Sequence, residues 1–271
     1  CMYALKDKVA VVTGAGSGIG RALAVELARK GCRLALADIS EAGLAETAAL
    51  LPATPYSEKL DVADRDAMHR FAANVKHAYG SAHVVINNAG VALSQTIENM
   101  SYEDLEWLMN INFWGVVHGT KAFLPMLRAQ DDGAIVNLSS IFGIIAIPTQ
   151  GAYHAAKFAV RGFTETLRQE LAGSGVFAMT VHPGGIKTNI VRTARLYVDA
   201  GGNTDKGVAV EQFDKMARTS AADAARAIVD GIERRKPRVL IGADAKLLER
   251  IQRLSPERYP AIVGGMLRLL R

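Results

Sequence analysis

A phenol and an amine four positions apart, Tyr153 and Lys157, stand thirteen residues after Ser140. On a helix such a pair shares one face, so the ammonium can sit beside the phenolic oxygen. An unperturbed tyrosine titrates near ~10 and exchanges protons poorly at neutral pH, but a neighbouring cation favours the phenolate and lowers that value. Tyr153 is therefore a candidate general acid/base. Ordinary amphipathic helices also carry this spacing, so the surrounding elements must decide.

Those elements alternate. Lys8–Thr13 (KVAVVT) is a β-branched run that stops at glycines, and Ile19, Ala22, Leu23 and Leu27 follow at helical spacing before Gly31. This is strand, tight turn, helix. The alternation recurs as Arg33–Asp38 and a helix through Leu51, then Ser57–Asp61 and a helix from Asp64 to about Tyr79. Ala82–Asn87 leads to a long helical stretch from Ser101 to about Arg128, and Ala134–Leu138 precedes a helix from about Tyr153 to Leu171. Val176–His182 and Arg238–Ile241 supply further strands, with a helix between them capped near Thr219 or Ser220 and running to about Arg235. The expected fold class is α/β: a doubly wound parallel sheet of Rossmann type, about seven strands with helices on both faces. Residues 189–218, with Gly201-Gly202-Asn203 at their centre, form an irregular excursion expected to be mobile. In 243–271 a helical extension is expected, with Leu247, Ile251 and Leu254 on one stripe, then Ile262, Val263, Met266, Leu267 and Leu270.

Four stretches at strand ends could hold a ligand. Thr13–Gly20 (TGAGSGIG) follows a strand and opens a helix, where backbone N–H groups and the helix dipole attract a pyrophosphate. The turn residues are Gly14, Ser17, Gly18, Ile19 and Gly20; the glycine spacing departs from G-x-G-x-x-G, and a P-loop lysine is absent. Asp38, followed by Ile39, ends the next strand, where a carboxylate can accept from both ribose hydroxyls and repel a 2′-phosphate. The alternative for Asp38 is a helix N-cap. Together they favour NAD over NADP. Asp61-Val62 can accept from an adenine amine or cap the helix at Asp64, and Asn87-Asn88-Ala89-Gly90 permits close backbone approach. Asn112 lies within a helical pattern it suits poorly, so it either bonds locally and bends the helix or serves a site. Ser139-Ser140 place a hydroxyl at the carboxyl edge of the sheet.

Other chemistries fit less well. Ser140 has no G-x-S-x-G elbow, and the six histidines show neither triad order nor metal-ligand spacing, so no metal is expected. Two cysteines give no disulfide framework, and Cys32 reads as a small core residue. No uninterrupted apolar run approaches membrane-spanning length and no charged leader pattern opens the sequence, so a cytoplasmic setting is expected. The net charge of +5 is concentrated: residues 226–271 hold 11 basic and 5 acidic side chains, against 21 and 22 in residues 1–225. A neutral body argues against nucleic acid as a partner. The tail's charge reads first as the solvated side of helices, while the tail as an element reads first as a subunit contact or lid, with membrane contact ranked lower.

With Thr13–Gly20, Asn87–Gly90, Asn112, Ser140 and Tyr153-x3-Lys157 in this order, the sequence resembles the short-chain dehydrogenase/reductase family over roughly residues 6–242. The resemblance implies a single dinucleotide-binding catalytic domain over 1–271 and hydride transfer between NAD(H) and a carbinol or carbonyl carbon. It implies that Tyr153 exchanges the proton, Ser140 holds the substrate oxygen, Lys157 binds the nicotinamide ribose and lowers the Tyr153 pKa, and Asn112 holds a relay water. Pro183, Gly184, Ile186 and Thr188 look like the family's segment at the carboxamide, and a homodimer or homotetramer is implied. His154 and Ala155 depart from the family's usual small residues there, and the tail beyond Ile241 is longer and more apolar. The enoyl-reductase subgroup, with Tyr-x6-Lys, fits poorly. Apolar Ile141, Phe142, Ile144, Ile145, Ile147 and Pro148 suggest a pocket for an apolar alcohol or ketone, with 189–218 as the substrate loop. The rivals are an NADP-dependent carbonyl or ketoacyl reductase and a dinucleotide sensor without turnover.

Overall fold

The computed structural model describes residues 2–269. Its elements in order are β1 (Val9–Thr13), α1 (Gly18–Arg29), β2 (Arg33–Asp38), α2 (Glu41–Ala48), β3 (Tyr56–Lys59), α3 (Arg65–Tyr79), β4 (Val84–Asn87) and β5 (Leu93–Ser94). Next come α4 (Tyr102–Met109), a π turn (Asn110–Trp114), α5 (Gly115–Ala129), β6 (Gly133–Leu138), a short 3-10 turn (Ile141–Gly143), α6 (Gly151–Glu170) and β7 (Val176–Pro183). The chain ends through β8 (Ile186–Lys187), β9 (Arg195–Leu196), α7 (Lys206–Met216), β10 (Thr219–Ser220), α8 (Ala221–Glu233), β11 (Arg238–Ile241), α9 (Ala243–Leu254) and α10 (Tyr259–Leu269).

Seven strands form one parallel sheet in the order β11-β7-β6-β4-β1-β2-β3. The order reverses between β1 and β4, and the crevice at the carboxyl ends of such a reversal is where open α/β sheets bind ligands. Side chains alternate across the strands. In β1, Ala10 and Val12 face Leu23, Leu27 and Ile228 of α1 and α8, while Val9 and Val11 face Phe71, Val75 and Phe123 of α3 and α5. In α1, Gly20, Leu23, Ala24 and Leu27 are buried, the i, i+3, i+4, i+7 stripe of a helix laid on a sheet.

The structure departs from the sequence-based expectations in places. The helix after β2 stops at Ala48, β3 spans Tyr56–Lys59 rather than Ser57–Asp61, and β4 begins at Val84 rather than Ala82. The 101–128 stretch is broken by the π turn, where an extra residue per turn disrupts the regular bonding ladder. Residues 189–218 are more ordered than expected: they carry β9, paired with β5, and α7, whose first turn is capped by Asp205. In the tail, Ala245 rather than Leu247 is buried, and Leu247 and Leu254 face outward at 48% and 82% exposure. The side of α9 that packs carries Ala245 and Leu248, which meet Ile141, Ile144 and Ile145, and the expected stripe lies off that side. Leu270 and the side chain of Leu267 lie outside the described residues.

Candidate active site

The glycine turn between β1 and α1 is braced from three sides. A Cβ at Gly20 would lie 2.0 Å from the Gly14 carbonyl oxygen, so only glycine lets α1 close on the turn. Asn88 donates from Nδ2 to the carbonyl oxygens of Thr13 (2.9 Å) and Gly14 (3.2 Å), and the Asn88 and Ala89 N–H groups donate to Thr13 Oγ1. Arg21 donates to the Gly16 carbonyl at 2.5 Å and pairs with Glu46 at 2.6 Å. Thr13 and Arg21 are contributors that strand and helix periodicity gave no reason to single out.

Asp38 faces this turn. Its Oδ2 accepts from Gly16 N–H at 2.8 Å and its Oδ1 from Ser40 N–H at 2.9 Å. The cap of α2 is Ser40, whose Oγ accepts from Gly43 N–H at 3.0 Å, so the N-cap alternative for Asp38 is excluded. Ile39 beside it is 64% exposed. Asp61 accepts from Ala63 N–H at 2.9 Å, while Asp64 caps α3, so the capping alternative for Asp61 is excluded too. The start of α1 fits an anion: Ser17 makes no side-chain capping bond and the first turn holds no acidic residue. Across from it, the Thr188 methyl lies 3.3 Å from where a Gly18 Cβ would be. Ile186 packs its side chain in the core, so only its backbone can face a ligand. A hollow of about 400 Å³ opens beside Thr188 between Lys187, Asn189, Arg192 and Asp214. A hollow of about 490 Å³ among Tyr3, Lys8, Asp132 and Arg235 touches none of the candidate residues.

Ser140, Tyr153, Lys157 and Asn112 approach one another at the ends of β6, α6 and the π turn. Ser140 Oγ accepts from Phe142 N–H at 3.1 Å. Lys157 is buried, donates from Nζ to the Leu138 carbonyl at 3.0 Å, and lies 5.5 Å from the centre of the Tyr153 ring. Asn112 is fully buried; its Oδ1 accepts from Val91 N–H and its Nδ2 donates to the Val91 carbonyl, both at 2.8 Å. Gly90 separates these groups: a Cβ there would sit 3.3 Å from Asn112 Oδ1 and 3.7 Å from Lys157 Nζ. Asn112 therefore bonds locally and also borders the site.

The electrostatics correct one expectation. Tyr153 was expected to be held below the usual phenol range by Lys157, yet burial pushes it up to about 12, with the Ser140 hydroxyl working in the opposite direction. Burial also lowers Lys157 to about 8, because taking an ammonium out of water disfavours its charged form.

Two histidines shape the site without entering it. His182 Nδ1 donates to the Ser140 carbonyl at 2.8 Å, its buried Nε2 has no partner among the described residues, and burial lowers its pKa to about 4. The neutral tautomer with the proton on Nδ1 follows. His154, buried, sits between the Phe142 carbonyl (3.0 Å from Nδ1) and the Ile147 N–H (2.9 Å from Nε2), closing residues 142–147 into a loop. Of the expected apolar lining, Ile141, Ile144 and Ile145 are buried against Ala245 and Val263 of the tail. Phe142 and Ile147 are only half-buried and remain as lining candidates, with Phe142 edge-on to Tyr153 at 6.2 Å.

Comparison with known proteins agrees with this architecture. The family described as short chain dehydrogenase matches residues 8–197. The chain belongs to the short-chain dehydrogenase/reductase family and is an oxidoreductase of that family. SadH of Mycobacterium tuberculosis, named as an oxidoreductase, is 47% identical over 270 residues, covering 97% of this chain and 96% of SadH. A short-chain dehydrogenase/reductase from Burkholderia phymatum, solved in complex with NAD, superposes with a TM-score of 0.85 at 31% identity over 94% of this chain and 96% of that one. An alcohol dehydrogenase from the archaeon Thermococcus sibiricus, complexed with 5-hydroxy-NADP, superposes at 0.71 with 28% identity over 82% and 89%. No helix among the described residues is long and apolar enough to cross a membrane.

Proposed function

We propose that the chain, acting as one dinucleotide-binding catalytic domain, transfers a hydride between NAD(H) and an apolar secondary alcohol or ketone. The observation that carries this reading is Lys157: a buried amine that spends one N–H on the Leu138 carbonyl and stands 5.5 Å from the Tyr153 ring at the sheet's carboxyl edge. When bound, the nicotinamide supplies the hydride acceptor or donor. Gly14, Ser17, Gly18, Ile19 and Gly20 would hold its pyrophosphate, Asp38 and Ile39 its adenosine ribose, Asp61 and Val62 its adenine, and Asn88, Ala89, Gly90, Pro183, Gly184, Ile186 and Thr188 the rest.

Tyr153 takes the proton from the carbinol oxygen in oxidation and returns it in reduction, with Ser140 Oγ hydrogen-bonded to the same oxygen. Lys157 binds the ribose hydroxyls, and the Ser140 hydroxyl works against the burial that holds Tyr153 near 12. Asn112 has both ends of its amide engaged by Val91, so its contribution to a water relay comes from its backbone carbonyl, within the π turn. NAD is favoured because Asp38 would face a 2′-phosphate, and because Arg21, the cation at the turn, is paired with Glu46. The Thermococcus complex keeps NADP as the second reading. Exposed Ile97, Tyr102, Trp114 and Phe158 support a homo-oligomer.

The test is a panel of cyclic and aliphatic secondary alcohols with NAD and NADP, followed at the nicotinamide absorbance. Turnover of apolar members with NAD is expected. Turnover retained in full by Tyr153→Phe would overturn the acid/base assignment, and a higher kcat/KM with NADP the cofactor assignment.

A further inference from the structure

The tail reaches back into the site at two points. Asp244, in the first turn of α9, accepts from Gly185 N–H at 2.7 Å through Oδ2. The carboxylate is wedged among glycines: a Cβ at Gly184 would lie 2.2 Å from Oδ2, and one at Gly242 2.2 Å from Oδ1. β11 brings it there, since Ile241 pairs with Pro183 and Gly184 N–H donates to the Ile241 carbonyl at 2.9 Å. Asp244 therefore grips Gly184–Gly185, the start of the backbone segment that runs through Ile186 to Thr188 opposite the glycine turn.

The second point is on the other wall. Tyr259, the first residue of α10, accepts through its hydroxyl from Ala146 N–H at 3.1 Å. One helical turn on, Val263 is 4% exposed and packs with Ala245 on Ile141, Ile144 and Ile145. The 142–147 loop is thus fastened from inside by His154 and from outside by Tyr259, with Phe142 and Ile147 left half-buried and Phe142 edge-on to Tyr153.

We infer that residues 243–269 are a positioning element of the active site in cis. Asp244 sets the Pro183–Thr188 backbone on the cofactor wall, and Tyr259 sets the Phe142–Ile147 loop on the substrate wall. This rests on the function proposed above. It adds a specific task for two side chains to a tail expected to serve first as a subunit contact or lid.

Losing one hydrogen bond of this kind costs about three- to tenfold in a binding constant. The experiment measures NADH affinity by fluorescence, KM for a ketone accepted by the parent, and melting temperature, for Asp244→Ala, Asp244→Asn and Tyr259→Phe. Asp244→Ala should weaken NADH binding about three- to tenfold and leave the ketone KM within about twofold. Asp244→Asn, which keeps an acceptor for Gly185 N–H, should restore the parent affinity. Tyr259→Phe, which keeps the ring, should raise the ketone KM by a similar factor with NADH affinity unchanged. Parent-like constants in both Asp244→Ala and Tyr259→Phe, or a fall in melting temperature with both constants moving together, would overturn the inference. A parent chain that binds no NADH would overturn the proposed function, and the inference with it. NADH binding that is intact and insensitive to Asp244→Ala sinks the cofactor-wall half alone.

Discussion

On the cofactor side Asn88 holds Thr13 and Gly14, and Asp38 holds Gly16, at the carboxyl ends of neighbouring strands. On the substrate side Phe142 and Ile147 are held by His154 and by Tyr259, the latter 113 positions along the chain from its partner Ala146. One wall joins the ends of neighbouring strands; the other hangs a loop between two helices. The first should fail by losing a ligand, the second by changing which ligand is accepted.

The largest effect should come where the two walls meet. Tyr153→Phe keeps the ring against Phe142 and removes only the hydroxyl, so turnover should fall by roughly 10²–10⁴ with NADH affinity nearly unchanged. Equal losses in affinity and turnover would mean that Tyr153 holds the fold of the wall rather than the proton. On the cofactor side, Asp38→Ala frees Gly16 N–H and removes the charge that disfavours a 2′-phosphate. The ratio of kcat/KM with NAD to that with NADP should drop by about tenfold or more, since one unfavourable contact of ~1.4 kcal/mol is a factor of ten.

His182 joins the walls beneath the site, from β7 to the Ser140 carbonyl, and gives a pH test. Its folded pKa of about 4 lies below the ordinary 6.5, so between those values the unfolded chain binds more protons than the folded one. Stability should therefore fall as pH drops from 6.5 toward 4, by on the order of 3 kcal/mol at the low end. His182→Gln should flatten that part of a urea-midpoint profile, and an unchanged slope would shift the acid sensitivity to other groups.

The contrast also explains what the residues disclosed. The cofactor wall was legible because its determinants are short-range: a β-branched run, glycines, a helix start and a carboxylate at the next strand end. The four candidate residues that the fold brings together were legible by type and order, although the direction of the Tyr153 shift was not, because burial depends on packing that no spacing records. Residues 189–218 defeated sequence reading for another reason. The buried face of α7 amounts to Ala209, so its apolar periodicity is weak, and the segment is ordered by contacts to distant elements. The tail has strong periodicity, yet the side that packs is chosen by the surface it meets, Ile141, Ile144 and Ile145, which lies outside the helix.

The smallest expected effect tests how 189–218 is held. Arg195 in β9 pairs with Asp104 of α4 at 2.7 Å and lays its guanidinium 3.8 Å over the Trp107 ring. Ser94 of β5 adds a bond to the Val198 carbonyl at 2.6 Å. Arg195 is 43% exposed, so the ion pair contributes at most about 1 kcal/mol and the stacked cation about 0.5–1. Arg195→Ala should therefore open the segment modestly, raising the substrate KM about three- to tenfold and leaving NADH affinity unchanged. If loop opening limits product release, kcat rises in the same variant. Arg195→Lys separates the two contributions, because an ammonium keeps the charge for Asp104 but lacks the flat face that covers Trp107. A KM that follows ionic strength in the parent and not in Arg195→Ala assigns the hold to the ion pair. A KM indifferent to salt, but raised by both Lys and Ala, assigns it to the stack. No change in Arg195→Ala would leave the β5–β9 pairing as the hold, and the substrate wall would then depend on backbone contacts as much as the cofactor wall does.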